Sequence, residues 1–135
     1  MRIPTSRYTA AHWQQEEGQK LWPKAWLLAA HKSHLQKKGD WIGLRIGPKL
    51  VLLLFDGRNI RAFFNVCPHR GTPLLHNGCG NLQLIRCPYH SWTFDLEGKP
   101  AFIPDPLCLL EEKPALTPLQ TAVFGGFIWI CMDKN

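Results

Sequence analysis

The chain has 135 residues, with 16 Lys and Arg against 10 Asp and Glu, a formal net charge of +6. That length suits one domain, and 45% hydrophobic with 19% charged residues is globular rather than disordered composition. The basic residues are dispersed, with Lys32, Lys37 and Lys38 the densest patch. No basic run interleaved with aromatics indicates nucleic acid, and no apolar stretch approaches the roughly 20 residues of a membrane helix. Met1 to Arg7 lacks a secretory apolar core, so a cytoplasmic location is expected. Five cysteines, an odd number, argue against a disulfide scaffold and for metal ligation.

In chain order, Thr9 to Trp22 reads as a short helix with Thr9 as its N-cap and Pro23 as its stop. From Trp26 the texture changes to short apolar runs between turn residues. Trp26 to His31, Trp41 to Ile46, Lys49 to Phe55 and Ile60 to Asn65 each predict a strand. Gly47-Pro48 and Asp56-Gly57-Arg58-Asn59 supply hairpin turns between them. Leu82 to Arg86, Trp92 to Asp95 and Gly126 to Met132 are later strand candidates. Pro100, Pro104, Pro106, Pro114 and Pro118 predict an irregular, exposed connection. The sum is an all-β fold, a small antiparallel sandwich or barrel behind a short N-terminal helix.

Two segments carry the chemistry: Cys67-Pro-His69-Arg-Gly71 and Cys87-Pro-Tyr-His90. Each supplies one thiolate and one imidazole from a loop between strand candidates. A [2Fe–2S] cluster with two thiolates on one iron and two histidines on the other needs this set. The competing reading is a tetrahedral Cys2His2 zinc site, but zinc fingers group Cys with Cys and His with His.

These segments, with Asn65 to Leu74, Cys87 to Gly98 and Gly126 to Ile130, resemble the Rieske domain at the N-terminus of ring-hydroxylating oxygenase α subunits. Arg7-Tyr8-Thr9, Leu21-Trp22-Pro23 and Trp26 to His31 resemble the lead-in of those subunits, which the free Rieske ferredoxins usually lack. The resemblance implies residues 1–36 as lead-in and 37–135 as the Rieske [2Fe–2S] domain. It implies Cys67 and Cys87 on the inner iron and His69 and His90 on the outer one. It further implies an acidic reductase or ferredoxin as electron donor and a catalytic oxygenase domain as acceptor. A homotrimer is implied only for the intact subunit. The alternative is a stand-alone Rieske ferredoxin-like carrier.

Departures from the resemblance also carry expectations. Thr72 and Tyr89 stand where respiratory Rieske proteins have a disulfide, and Trp92 and Phe94 where those have hydroxyl donors. Fewer donors to sulfur predict a low potential, about −150 mV. Ser91 stands where the family most often has Gly. If its φ is positive it is strained by about 1 kcal/mol, and it is either a tolerated variant or one that uses its hydroxyl near His90. Arg70, next to a ligand histidine, could stabilise a reduced cluster or an acidic partner. Cys79, Cys108, Cys131, His12, His31, His34 and His76 are expected to be packed or solvated, and Trp92 and Trp129 to be core aromatics. No histidine follows His90, so no mononuclear-iron triad is expected in this chain, which then transfers electrons and hydroxylates nothing on its own.

Overall fold

Lys49–Phe55 contains an uninterrupted apolar run, Leu50 to Leu54, where a surface strand would alternate. The computed structural model, which describes residues 3–104 and 113–133, shows why. Leu52 and Leu54 point into one hydrophobic cluster and Val51 and Leu53 into a second, so this strand is buried on both faces. Each such side chain contributes about 1.5–3 kcal/mol by leaving water.

Among the described residues, ten strands are numbered in chain order. β1 is Leu27–His31, β2 Asp40–Ile46, β3 Lys49–Phe55, β4 Ile60–Phe64, β5 Gly78–Asn81, β6 Ile85–Arg86, β7 Thr93–Phe94, β8 Pro100–Phe102, β9 Pro118–Phe124 and β10 Phe127–Cys131. Seven form one sheet in the order β1-β10-β9-β4-β3-β2-β5, and β6-β7-β8 form a second; every pairing is antiparallel. β4 meets β9 at only two register pairs, Ala62 with Leu119 and Phe63 with Pro118. The large sheet curls at this joint, bringing Ile128 and Ile130 of β10 into one cluster with Val51 and Leu53. The small sheet closes the other face, with Ile85, Phe94 and Leu96 packed on Leu52, Leu54 and Phe63. The expected all-β sandwich is therefore the fold, and both predicted hairpins, β2–β3 and β3–β4, form in register.

Several expectations need correction. Ser6–Thr9 forms a first helical turn, α1, and Ala11–Lys20 a separate helix, α2, so Thr9 ends one helix instead of capping another. Ala10 between them is extended, with Arg7 stacked over the Trp13 ring at 3.7 Å across the bend. The proline-rich connection is only partly irregular: β8 lies inside it, and Ile103 and Leu116 are buried. Cys108 lies outside the described residues. β5 and β9 had no expectation at all. Among the described residues, no helix is long and apolar enough to cross a membrane.

Gly43 in β2 is required by close approach, since a Cβ there would lie 2.2 Å from the His76 carbonyl oxygen. The segment joining β4 to β5 therefore crosses directly over β2, and this crossing anchors the first of two loops at one end of the sandwich.

Candidate metal centre

The first loop leaves β4 at Asn65, whose side chain is wholly buried. Its Nδ2 donates to the Leu75 carbonyl at 2.7 Å and its Oδ1 accepts from the Leu75 N–H at 3.0 Å. Asn65 thus imitates a strand backbone and ties the loop shut, helped by a bridge between Val66 and Pro73. The second loop is shorter, Cys87 to Trp92, and is closed by the β6–β7 pairing of Arg86 with Thr93.

The loops share one backbone design. The Cys67 N–H donates to the Thr72 carbonyl at 2.8 Å and the Gly71 N–H to the Cys67 carbonyl at 2.9 Å. In the second loop the Cys87 N–H donates to Trp92 at 2.8 Å and the Ser91 N–H to Cys87 at 3.1 Å. The fourth residue after each cysteine has positive φ, +70° at Gly71 and +60° at Ser91. Glycine adopts this freely, whereas serine is strained by about 1 kcal/mol. Ser91 is the one non-glycine with positive φ among the described residues, and its Oγ accepts from Arg86 Nη2 at 2.9 Å, not from His90.

All four residues singled out by spacing come to this end of the molecule, sorted by depth. Cys67 and Cys87 are each 2% exposed, His90 is half-buried and His69 is exposed. Burial pushes the Cys67 thiol pKa up, the adjacent Cys87 thiol adds to this, and the His69 and Arg70 N–H groups facing the sulfur oppose it. The two imidazoles lie edge to face with centroids 4.7 Å apart. Desolvation, with the charges of His90 and Arg70, holds the His69 pKa below the ordinary histidine value and favours the neutral, ligating form.

His90 Nδ1 is buried and has no hydrogen-bond partner, an arrangement that costs about 1–3 kcal/mol unless something binds it. A soft, two-metal group with thiolate at one side and imidazole at the other fits this donor set.

Three neighbours of the site were not assigned a part in it by sequence. Trp92, 6% exposed, lies flat against His69, centroids 4.7 Å apart and planes 5° from parallel. Tyr89 is tilted over His90 at 3.9 Å. Arg86 grips Ser91 as described. Their proximity in the motif was visible, but a contact from the second loop to a histidine of the first has no sequence signal. Trp129 is not a core aromatic: it is half-buried, with Nε1 donating to the Phe124 carbonyl at 3.4 Å. Cys131 is buried and Cys79 lies exposed in β5. His76 stands edge to face on Trp41, and His31 on Phe127.

The Rieske [2Fe-2S] domain family profile matches residues 25–120. The chain is 35% identical to the carnitine monooxygenase oxygenase subunit of Acinetobacter baumannii, covering 98% of this chain and 37% of that protein. It is 30% identical to the benzene 1,2-dioxygenase α subunit of Pseudomonas putida, covering 99% of this chain and 31% of that one. The crystal structure of a quaternary ammonium Rieske monooxygenase with L-carnitine superposes with a TM-score of 0.90 at 32% identity, over 98% of this chain and 39% of that chain. Naphthalene 1,2-dioxygenase from Rhodococcus sp. gives 0.88 at 26% identity, over 97% of this chain and 31% of that chain. The chain thus spans well under half the length of these relatives. With its fold, its paired loops and these matches, the chain belongs to the Rieske [2Fe-2S] domain family, in the form found in Rieske non-haem iron oxygenases.

Proposed function

We propose that Cys67, His69, Cys87 and His90 hold the family's [2Fe–2S] cluster and that the chain is the electron-transfer module of an oxygenase α subunit. The observation that carries the ligand assignment is the buried, unpartnered Nδ1 of His90 beside His69, with both cysteines beneath. The cluster, when bound, accepts and releases one electron at a time. Cys67 and Cys87 hold its buried side as thiolates and exclude water from the sulfurs. His69 and His90 hold the outer side through one ring nitrogen each, leaving the second for contact with an acceptor.

In this reading residues 37–135 form the cluster domain and 1–36 the lead-in, whose β1 is an edge strand of the large sheet paired with β10. That the relatives match 98–99% of the chain, lead-in included, supports an oxygenase module over a free carrier. A cytoplasmic reductase or ferredoxin with an acidic docking face suits the donor side. The net charge of +6 and the exposed Arg70 and Arg86, adjacent in sequence to His69 and Cys87, favour such a partner. A mononuclear iron in a catalytic domain is the acceptor, and homotrimer formation belongs to the intact subunit.

Iron and acid-labile sulfide analysis with EPR of the dithionite-reduced, anaerobically purified chain tests this. Two irons, two sulfides and a mixed-ligand Rieske signal are expected, lost in Cys87→Ser; zinc without sulfide refutes it. Donor reduction should slow as ionic strength rises, and a salt-independent rate removes the acidic-partner element.

A further inference from the structure

We infer that Ser91 and Arg86 are a potential-setting pair: the strained serine holds an arginine charge against the His90 loop and makes reduction of the cluster easier. The inference rests on the ligand assignment above. Both loops use the same turn, and in the first loop the positive-φ residue is Gly71, where an added Cβ would meet nothing within 4 Å. Space is therefore not what selects the residue at this turn. A glycine at 91 would make the turn without strain. What serine adds is Oγ, and that oxygen is occupied by Arg86 Nη2 at 2.9 Å.

Arg86 is exposed, and a long, solvated side chain would ordinarily move freely. Here it is fixed at both ends. Its backbone pairs with Thr93 at the neck of the loop, and its guanidinium is held at residue 91, which follows His90 in the chain. Thr93 Oγ1 donates to the Ser91 carbonyl at 2.9 Å, steadying the same turn from the other strand. Among the described residues, none of the ion pairs involves Arg86, so its charge is not cancelled locally. Reduction adds one negative charge to the group between the loops. A cation held at the turn that carries His90 stabilises the reduced form more than the oxidised one. The pair therefore works against the scarcity of hydroxyl donors at Trp92 and Phe94. Arg86 and Ser91 are positioning residues in this role, because neither is a ligand.

Redox titration of the cluster-loaded chain, followed by visible absorbance and EPR, tests the pair. At a solution potential equal to the parent midpoint, Arg86→Gln should raise the oxidised-to-reduced ratio about two- to threefold, the order expected of one screened charge. Arg86→Lys should largely restore it. Ser91→Gly and Ser91→Ala should both lower the midpoint by releasing Arg86, yet move thermal stability in opposite directions. Glycine relieves the backbone strain, and alanine keeps it while losing the hydrogen bond. Arg58→Gln, at the opposite end of β4, should leave the midpoint unchanged. A fully loaded Arg86→Gln chain with the parent midpoint overturns the inference while leaving the ligand assignment intact. A parent chain without iron and sulfide overturns both.

Discussion

His69 and Trp92 lie face to face, their ring centroids 4.7 Å apart and their planes 5° from parallel, although they belong to different loops. Trp92 is almost completely buried while His69 is exposed, so a fixed indole supports a surface imidazole from beneath. The contact joins the two loops, and an aromatic pair of this kind is worth about 0.5–1.5 kcal/mol.

Trp92→Leu should therefore loosen His69 without removing any ligand. Iron release to a chelator is expected to quicken about three- to tenfold, the factor that stack energy implies, with broadened EPR features. Trp92→Phe, which keeps a flat ring, should stay near the parent rate. Equal rates in all three chains would show that the stack does not hold the histidine.

Asn65 is the lock of the first loop. Asn65→Ala leaves the Leu75 N–H and C=O without their partners in a part-buried setting, at a cost of about 2–4 kcal/mol for two such bonds. Urea unfolding of the variant should show a lower midpoint with little change in slope, together with reduced cluster content. Asn65→Asp should be worse at neutral pH, since it loses the Nδ2 donor and adds a buried charge.

His90 gives a prediction of opposite sign for the metal-free chain. Its Nδ1 is buried and unpaired, so His90→Leu removes an unsatisfied polar atom. The apo variant should be as stable as the apo parent or more so, by up to about 1–3 kcal/mol, while losing the capacity to load a cluster. Stripping iron from the parent should lower its unfolding temperature, and the same treatment should leave His90→Leu unchanged. Calorimetry of the four samples checks both.

Acid stability should depend on Asp56. Burial pushes its carboxyl pKa up, but the N–H groups of Asn59 and Arg58 and the Arg61 guanidinium outweigh this, holding it below the ordinary 3.8. A folded pKa lower than the unfolded one gives stability that is complete above the unfolded value and lost as pH falls through the folded value. The parent should thus lose stability steadily from about pH 4 downward, and Asp56→Asn should flatten that decline while being less stable at pH 7. Parallel unfolding curves for the two chains from pH 7 to pH 2.5 would refute the role.

How far the sequence could be read followed the physics of each segment. β3 was legible to the residue because a strand buried on both faces is apolar at every position and is bounded by two turn signals. β5 was not, because Gly78-Cys-Gly-Asn81 has no strand propensity of its own; it is a strand because the β2 edge offers it hydrogen bonds. β9 begins at a proline and exposes Ala122, Val123 and Phe124 in succession, so its alternation is blurred, and β10 is what templates it. Thr9 failed as a cap because the chain bends at Ala10, where Arg7 meets Trp13. An odd number of cysteines and two short Cys/His pairs single out Cys67, His69, Cys87 and His90, because residue identity and spacing are local properties of a chain. What only the tertiary structure decided was how those residues are ordered and supported. Cysteines lie inside and histidines outside, His69 rests on Trp92, and Arg86 is held by Ser91. Each of these joins segments that become neighbours only when the curled sheet and the small sheet close on one another, and contacts made across such a closure leave no periodicity in the sequence.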